Sequence, residues 1–255
     1  MNNVNKTLYI PLYGKAFVSR RGILLADPKA EEIWGGSAFP LRGKSASKWL
    51  AYTMAMRAAV FDNWLKAQLT PDAVVLHLGC GLDSRCLRVA CDNTWFDVDF
   101  PDVISQRREY FAESDRYRMI GCDLREDFLA GIPEGKVIVV LEGVSMYLTA
   151  QERRELLAKL KRHFSQVRIL LDSYTVFGAR MSKYKNPVND VGVTQVYGFD
   201  DPRDLEEGTG FTFLQEHDMT PEAMIAQLSR MEQRIFRRLF AGKTAKRFYR
   251  MYEYL

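Results

Sequence analysis

Apolar residues recur at helical spacing in the first part of the chain and predict a helical cap over residues 1–70. The clearest run covers residues 46–69 and stops before Pro71. Asp27 followed by Pro28 has the form of an N-cap with proline at the first helical position, which predicts a short helix over residues 28–34.

The pattern changes after the cap, where short apolar runs alternate with helical segments. Strands are predicted over residues 73–78, 94–98, 117–120, 136–141, 167–171 and 211–215. Helices are predicted over residues 85–90, over residues 101–112, and from a capping box of Thr149 and Glu152 to about His163. Such alternation indicates βαβ units, so the sequence predicts a doubly wound α/β fold with a mainly parallel sheet.

Two later segments lack a clear period. Residues 183–201 contain Asn186-Pro187 and two glycines, and are predicted to form a loop or lid on the substrate side. A helical region is predicted after Thr220-Pro221, and the tail over residues 248–255 fits either a helix or an edge strand. No repeat or flexible linker interrupts the chain, so a single domain over residues 1–255 is expected.

Composition narrows the class of protein without identifying it. Hydrophobic residues make up 47% of the chain, charged residues 27%, and the net charge is +4, values that are ordinary for a globular protein and do not imply nucleic acid. The chain has no run of apolar residues long enough to span a bilayer and no signal-peptide pattern, so we expect a cytoplasmic protein. The four cysteines form no CxxC pair, and no metal site is predicted.

The first candidate site is the glycine turn that follows the first strand. Gly79, Cys80 and Gly81 stand between that strand and the next helix. Glycine lets the backbone turn tightly and approach a ligand closely, and the helix N-terminus then points its N–H groups at the ligand. Glycine also occurs in such turns for purely structural reasons, so this signal is weak when taken alone.

Acidic residues follow the next three strands. Asp99 stands about twenty residues after the turn, where a carboxylate can bind both ribose hydroxyls. Asp123, followed by Leu124, comes after the third strand and can bind an adenine amino group or simply cap a helix. Glu142 comes directly after the fourth strand and needs a cationic partner if it is buried. Together these strand ends favour an adenosine cofactor.

The glycine turn lacks the features of a dinucleotide or nucleoside triphosphate site, and this narrows the type of adenosine cofactor. A dinucleotide site requires a third glycine where this chain has Ser84, and there is no phosphate-binding GxxxxGK[ST] loop. S-adenosylmethionine (SAM) has no phosphates, and its positive sulfonium suits a site rich in carboxylates. Its methionyl carboxylate requires a cation, for which Arg57 and Arg85 are the candidates.

These segments resemble the leucine carboxyl methyltransferase-like branch of class I SAM-dependent methyltransferases, including its bacterial members linked to polyketide synthesis. The matching segments are residues 10–16, 56–57, 61–65, 78–85, 95–103, 123–124 and 141–148. The resemblance implies a Rossmann-like, seven-stranded fold and SAM as methyl donor. It implies cofactor contacts at Arg57, Gly79, Cys80, Gly81, Asp99, Asp123, Leu124 and Glu142.

Within that set, the resemblance assigns the methionyl carboxylate to Arg57, the ribose hydroxyls to Asp99 and the methionyl amine to Glu142. It places Tyr147 on the substrate side. We predict an O-methyltransferase that acts on a carboxylate or hydroxyl of a small molecule, with polyketide-like acceptors included. The alternatives are a SAM-binding protein without catalysis and a carboxyl methyltransferase acting on a protein C-terminus.

No catalytic base can be named from the sequence. His77 lies inside the first strand and His163 ends a helix, positions that suit structural roles. A carboxylate acceptor needs no base, whereas a hydroxyl acceptor would gain from one. The candidates for the substrate side are Tyr13, Lys15, Tyr147 and Tyr174.

Overall fold

The computed structural model describes residues 5–41, 43–182 and 195–255 of the chain. Its N-terminal region contains α1 (Tyr9–Arg20), α2 (Pro28–Gly36) and α3 (Lys48–Gln68), and so has the helices that the apolar periodicity predicts. The carboxylate of Asp27 accepts a hydrogen bond from the Ala30 N–H at 2.9 Å and caps α2, as the Asp-Pro pair indicates.

The sheet has seven strands. They are β1 (Val74–Leu78), β2 (Trp95–Asp99), β3 (Tyr117–Gly121), β4 (Lys136–Leu141), β5 (Gln166–Tyr174), β6 (Phe213–His217) and β7 (Tyr249–Tyr254). Their order is β3-β2-β1-β4-β5-β7-β6, with β1 to β5 parallel and β7 antiparallel to both of its neighbours. The strand order reverses between β1 and β4, so the predicted doubly wound, mainly parallel sheet is confirmed.

Helices cover both faces of the sheet. The remaining ones are α4 (Arg85–Arg88), α5 (Pro101–Arg107), α6 (Ala150–His163), α7 (Val176–Ser182), α8 (Glu222–Ile225), α9 (Arg230–Leu239) and α10 (Gly242–Lys246). The predicted capping box is present, because Thr149 Oγ1 accepts from the Glu152 N–H at 3.2 Å and Glu152 accepts from the Thr149 N–H at 2.7 Å. Helices α4 and α5 end earlier than predicted.

Alternate strand residues pack against opposite layers. Leu76 and Val139 face the core that includes Leu157 of α6, whereas Val75 and Val140 face the core that includes Phe61 of α3. Strands buried on both faces need apolar residues throughout, which explains the unbroken apolar runs in the sequence. Among the described residues, no helix combines the length and apolar character needed to cross a membrane.

The C-terminal tail is neither the helix nor the edge strand that the sequence allows. It forms β7, an inner strand of the sheet between β5 and β6, and β6 is the edge strand. Pairing on both sides and burial of Met251 and Tyr254 hold it there. Residues 183–194 of the predicted lid lie outside the described residues. Within the rest, the Tyr197 N–H bonds to the Met146 carbonyl at 2.8 Å.

Candidate cofactor and acceptor site

A cavity of about 690 Å³ opens at the carboxyl ends of the parallel strands, beneath the N-terminal helices. This is the edge where open α/β sheets bind ligands. The structure brings all the predicted cofactor residues to its wall: Arg57, Gly79, Cys80, Gly81, Asp99, Asp123, Leu124 and Glu142. Their individual roles toward a ligand stay predictions.

The glycine turn requires glycine for a specific steric reason. Gly79 has φ +66° and Gly81 φ +53°, a conformation that other residues rarely adopt. A Cβ added at Gly79 would also lie 2.1 Å from Cγ2 of Val144, in the loop after β4. The backbone of the loop after β1 therefore lies in direct contact with the loop after β4, and the two loops meet at the same point of the cavity.

Asp99 connects the end of β2 to that turn. Its carboxylate accepts hydrogen bonds from the Gly81 N–H at 2.7 Å and from the Phe100 N–H at 2.8 Å. Burial raises the pKa of Asp99 to about 6, although both hydrogen bonds oppose the shift. Two hydroxyl donors of a ribose would stabilise the charged form, which is the form present at neutral pH.

Arg57 lies in a cluster of carboxylates near the ends of β4 and β5. Its Nε donates to Glu142 at 2.9 Å, and its Nη1 lies 3.3 Å from Asp172 Oδ2. Burial disfavours a charged Glu142, but Arg85 and Arg57 hold the pKa of this carboxyl below its ordinary value. Burial raises the pKa of Asp172 to about 6.

The structure separates the two arginines that the sequence offered as partners for a methionyl carboxylate. Arg57 lines the cavity, whereas Arg85 is fully buried behind Glu142 and is not among the lining residues. Arg85 donates to Asp62 at 2.6 Å and also bonds to Glu142. We therefore assign to Arg85 the role of holding Glu142 in place.

Of the four residues predicted on the substrate side, Lys15, Tyr147 and Tyr174 line the cavity and Tyr13 does not. The ring of Tyr13 packs against Trp34, and its hydroxyl donates to the Ala46 carbonyl at 3.2 Å. Lys15 is buried and forms an ion pair with Asp83 at 2.9 Å, which ties α1 to the glycine turn.

The opposite end of the cavity holds Asp123 and Leu124. Arg125 Nε donates to Asp123 at 2.9 Å, and this hydrogen bond lowers the pKa of the carboxyl. Leu124 is buried and contributes to the core on the α6 side of the sheet. The half-buried Asp123 carboxylate can accept a hydrogen bond from the edge of an adenine ring, and Leu124 beside it can pack against the ring face.

Sequence reasoning missed three residues near the cavity. Asp172 stands next to the predicted end of the fifth strand, so the strand-end rule used for the other carboxylates applies to it as well. Phe248 and Tyr249 line the cavity but belong to the C-terminal tail, where no sequence signal indicated a position beside β5.

The described part of the cavity wall offers no exposed imidazole as a general base. His77 is the one imidazole among the described residues that line the cavity, and it is 1% exposed. Its Nε2 lies 3.1 Å from Arg85, and its Nδ1 lies 3.2 Å from Asp97. Burial lowers the pKa of His77, which keeps the imidazole neutral and in the structural role that the sequence suggested.

The residues present fit SAM. Asp99 can bind the ribose, the glycine turn leaves room for the methionyl chain, and Arg57 can bind the methionyl carboxylate. Asp99, Glu142 and Asp172 together make the site attractive to the positive sulfonium and ammonium groups. When bound, SAM supplies a methyl group already activated by its positive sulfur.

Comparison with known proteins gives the family. A family model described as leucine carboxyl methyltransferase matches residues 5–161. The tetracenomycin polyketide synthesis O-methyltransferase TcmP of Streptomyces glaucescens is 34% identical over 241 residues, 91% of this chain and 89% of the relative. The SAM-dependent methyltransferase dpfgK of Gibberella zeae is 29% identical over 184 residues, 64% of this chain and 61% of the relative.

A solved structure agrees on the fold. Magnesium protoporphyrin IX methyltransferase (ChlM) from Synechocystis PCC 6803, crystallised with bound S-adenosylhomocysteine (SAH), superposes with a TM-score of 0.53 at 14% identity, covering 89% of this chain and 92% of that chain. With the match to the family model and the relative identical at 34%, the resemblance noted in the sequence is confirmed. The chain belongs to the leucine carboxyl methyltransferase family and is a SAM-dependent methyltransferase.

Proposed function

We propose that this enzyme methylates a carboxylate of a small, largely apolar acceptor and releases its methyl ester. The observation that carries the proposal is that groups able to act as a base on the described cavity wall are engaged in other contacts. The His77 imidazole is buried and neutral, the Glu142 carboxylate is held by Arg57 and Arg85, and the Lys15 amine is paired with Asp83. Carboxylic acids are ionised at neutral pH, so a carboxylate attacks the methyl group without losing a proton.

The comparisons support the same chemistry. The matching family model is named for carboxyl methylation, and the relative covering most of the chain is an O-methyltransferase of polyketide synthesis. The cavity wall opposite the predicted cofactor contacts is apolar and aromatic, with Met146, Tyr147, Tyr174 and Phe248. Such a wall suits an apolar acceptor and excludes water from the methyl group. The proposal includes the cytoplasmic location expected from the sequence.

The test uses SAM labelled in its methyl group, with arene carboxylic acids from benzoic to anthracenecarboxylic acid, the matching hydroxyarenes, and a small-molecule extract. Products are treated with base, which releases labelled methanol from methyl esters and leaves methyl ethers intact. We expect label that base releases.

The other outcomes separate the alternatives. Label that base does not release would show a hydroxyl acceptor. Base-labile label on an added protein fraction would show a protein C-terminus as substrate. Binding of SAM without any labelled product would leave a binding protein without catalysis, and each of these results contradicts the proposal.

A further inference from the structure

Sheet order places β5 and β7 on one side of β4 and the predicted adenosine contacts on the other. Asp123 and Asp99 follow β3 and β2, whereas Tyr249 begins β7 and pairs with Tyr174 at the end of β5. Side chains of paired residues point to the same face, as do residues two apart on a strand. Asp172, Tyr174 and Tyr249 therefore share one face beside the apolar part of the cavity.

Tyr249 is held in a defined orientation at this wall. Its ring meets the ring of Tyr174 edge to face, with centroids 4.9 Å apart. Its hydroxyl oxygen accepts from Arg57 Nη1 at 3.4 Å. Burial and the nearby Asp172 carboxylate raise the pKa of Tyr249 well above its ordinary value, so the phenol keeps its proton. The Arg57 contact uses only the oxygen, and the proton is directed toward the Asp172 carboxylate.

The donors of Arg57 are largely committed. Nε donates to Glu142, and Nη1 is shared between Asp172 and Tyr249. Within residues 5–41, 43–182 and 195–255, the hydrogen bonds of Arg57 come from Nε and Nη1, which leaves Nη2, beside Gly143, for a ligand. This single amino group suits one carboxylate, that of the methionyl chain. A second carboxylate, on the acceptor, needs another donor.

We propose that the Tyr249 hydroxyl is this donor and that Tyr249 determines the enzyme's preference for a carboxylate acceptor. The inference rests on the proposed function. Without an acceptor, the hydroxyl faces Asp172; with one, it turns about its C–O bond toward the cavity. Asp172 is fully buried and holds the N–H of Gly143 at 2.7 Å, so it supports this corner without entering the cavity.

The step balances without a proton transfer. One carboxylate oxygen accepts the Tyr249 hydrogen bond while the other attacks the methyl carbon. The carbon–sulfur bond breaks, and its electron pair stays on sulfur, giving the ester and neutral SAH. A charge-assisted hydrogen bond in a site shielded from water is stronger than one between neutral groups.

The test compares Tyr249→Phe with Tyr252→Phe, in the assay with labelled SAM and arene carboxylic acids. Tyr252 lies on the same strand but on the opposite face, where it packs against Phe213. We expect Tyr249→Phe to lower kcat/KM for the acid by about 10- to 100-fold, mainly through KM, since it loses a hydrogen bond to a charged group. The Kd for SAH should not change, and Tyr252→Phe should retain both values.

Wild-type kinetics in Tyr249→Phe would overturn the inference. So would an equal loss of SAH affinity, which would place Tyr249 on the cofactor side. Melting curves of both variants show that they are folded, and a low melting temperature in both would indicate damage to β7 instead of a lost contact. A wild-type enzyme that forms no ester would refute the proposed function, a result separate from any property of Tyr249.

Discussion

The predicted cofactor wall of the cavity comes mainly from the ends of four consecutive strands, whereas the predicted acceptor wall joins the loop after β4 to segments far away in the chain. The cofactor wall consists of the loops after β1 to β4, with Gly79, Asp99, Asp123 and Glu142. The acceptor wall joins Tyr147 of the loop after β4 with Tyr174, Phe248 and Tyr249. Short sequence segments therefore indicate the residues of the cofactor wall, whereas residues of the acceptor wall come together through the pairing of distant strands.

The two walls also differ in polarity. Carboxylates and backbone N–H groups dominate the cofactor wall, where we predict that each polar group contacts part of SAM. The acceptor wall is mainly apolar and aromatic, so it selects by shape and exclusion of water, with few polar contacts. We expect changes on the cofactor wall to reduce SAM binding, and changes on the acceptor wall to leave it intact.

The largest effect should come from Gly79→Ala. The added Cβ would meet Val144 at 2.1 Å, so the turn must shift. We expect methyl transfer to decrease on the order of 100-fold, because a displacement of roughly 1 Å in a positioned site has that effect. The matched control is Gly22→Ala, since Gly22 has φ +64° and no atom within 4 Å of an added Cβ. Equal SAH affinity in the two variants would contradict the close approach of the glycine-turn backbone to the cofactor.

Asp99→Ala should have the next largest effect. Losing its charge-assisted hydrogen bonds to the ribose should weaken SAH binding by about 1–3 kcal/mol in a titration calorimeter. Asp92→Ala provides the control, because that carboxylate is exposed and paired only across the surface with Arg116 at 3.2 Å. Unchanged affinity in Asp99→Ala would refute the ribose role.

The pH dependence of binding should report the same carboxylate. The pKa of Asp99 is raised to about 6, and ribose hydroxyls favour its charged form, so bound cofactor lowers this pKa. SAH affinity should therefore be constant above pH 6 and decrease below it, by about tenfold per pH unit at the steepest. Asp172 has a pKa of about 6 as well, so Asp99→Asn is needed to separate the two. If Asp99→Asn leaves the pH profile of SAH affinity unchanged, a group other than Asp99 takes up the proton that weakens binding.

The smallest effect should come from Tyr13→Phe. This variant loses the hydrogen bond to the Ala46 carbonyl and retains the packing on Trp34. We expect about 1 kcal/mol of lost stability in denaturant unfolding and unchanged kinetics. A raised KM for the acceptor would contradict this structural role and support the substrate contact that the sequence predicts for Tyr13.

The sequence predicted which strand-end residues meet at the cavity because the signals for them are local. A glycine turn after an apolar run, or a carboxylate after the next one, is visible in a short window. Asp172 follows the same rule, since it comes directly after the predicted fifth strand. Parallel strands of a single sheet end at a common edge, so these separate positions imply one site.

The acceptor wall was harder to predict for a physical reason. Tyr249 reaches Tyr174 only because β7 inserts antiparallel between β5 and β6, and pairing over that chain distance leaves no local pattern. Tyr13 shows the converse problem. It shares α1 with Lys15, but helical periodicity alone does not decide which side chain faces the cavity.

The most direct test of the two-wall account is a crystal structure of the enzyme with SAH. We predict ribose hydroxyls within about 2.6–3.2 Å of Asp99, and a sulfur atom facing the side of β4 that carries Tyr174 and Tyr249. SAH bound away from Asp99, or with its sulfur directed toward β2 and β3, would contradict the division of the cavity into a cofactor wall and an acceptor wall.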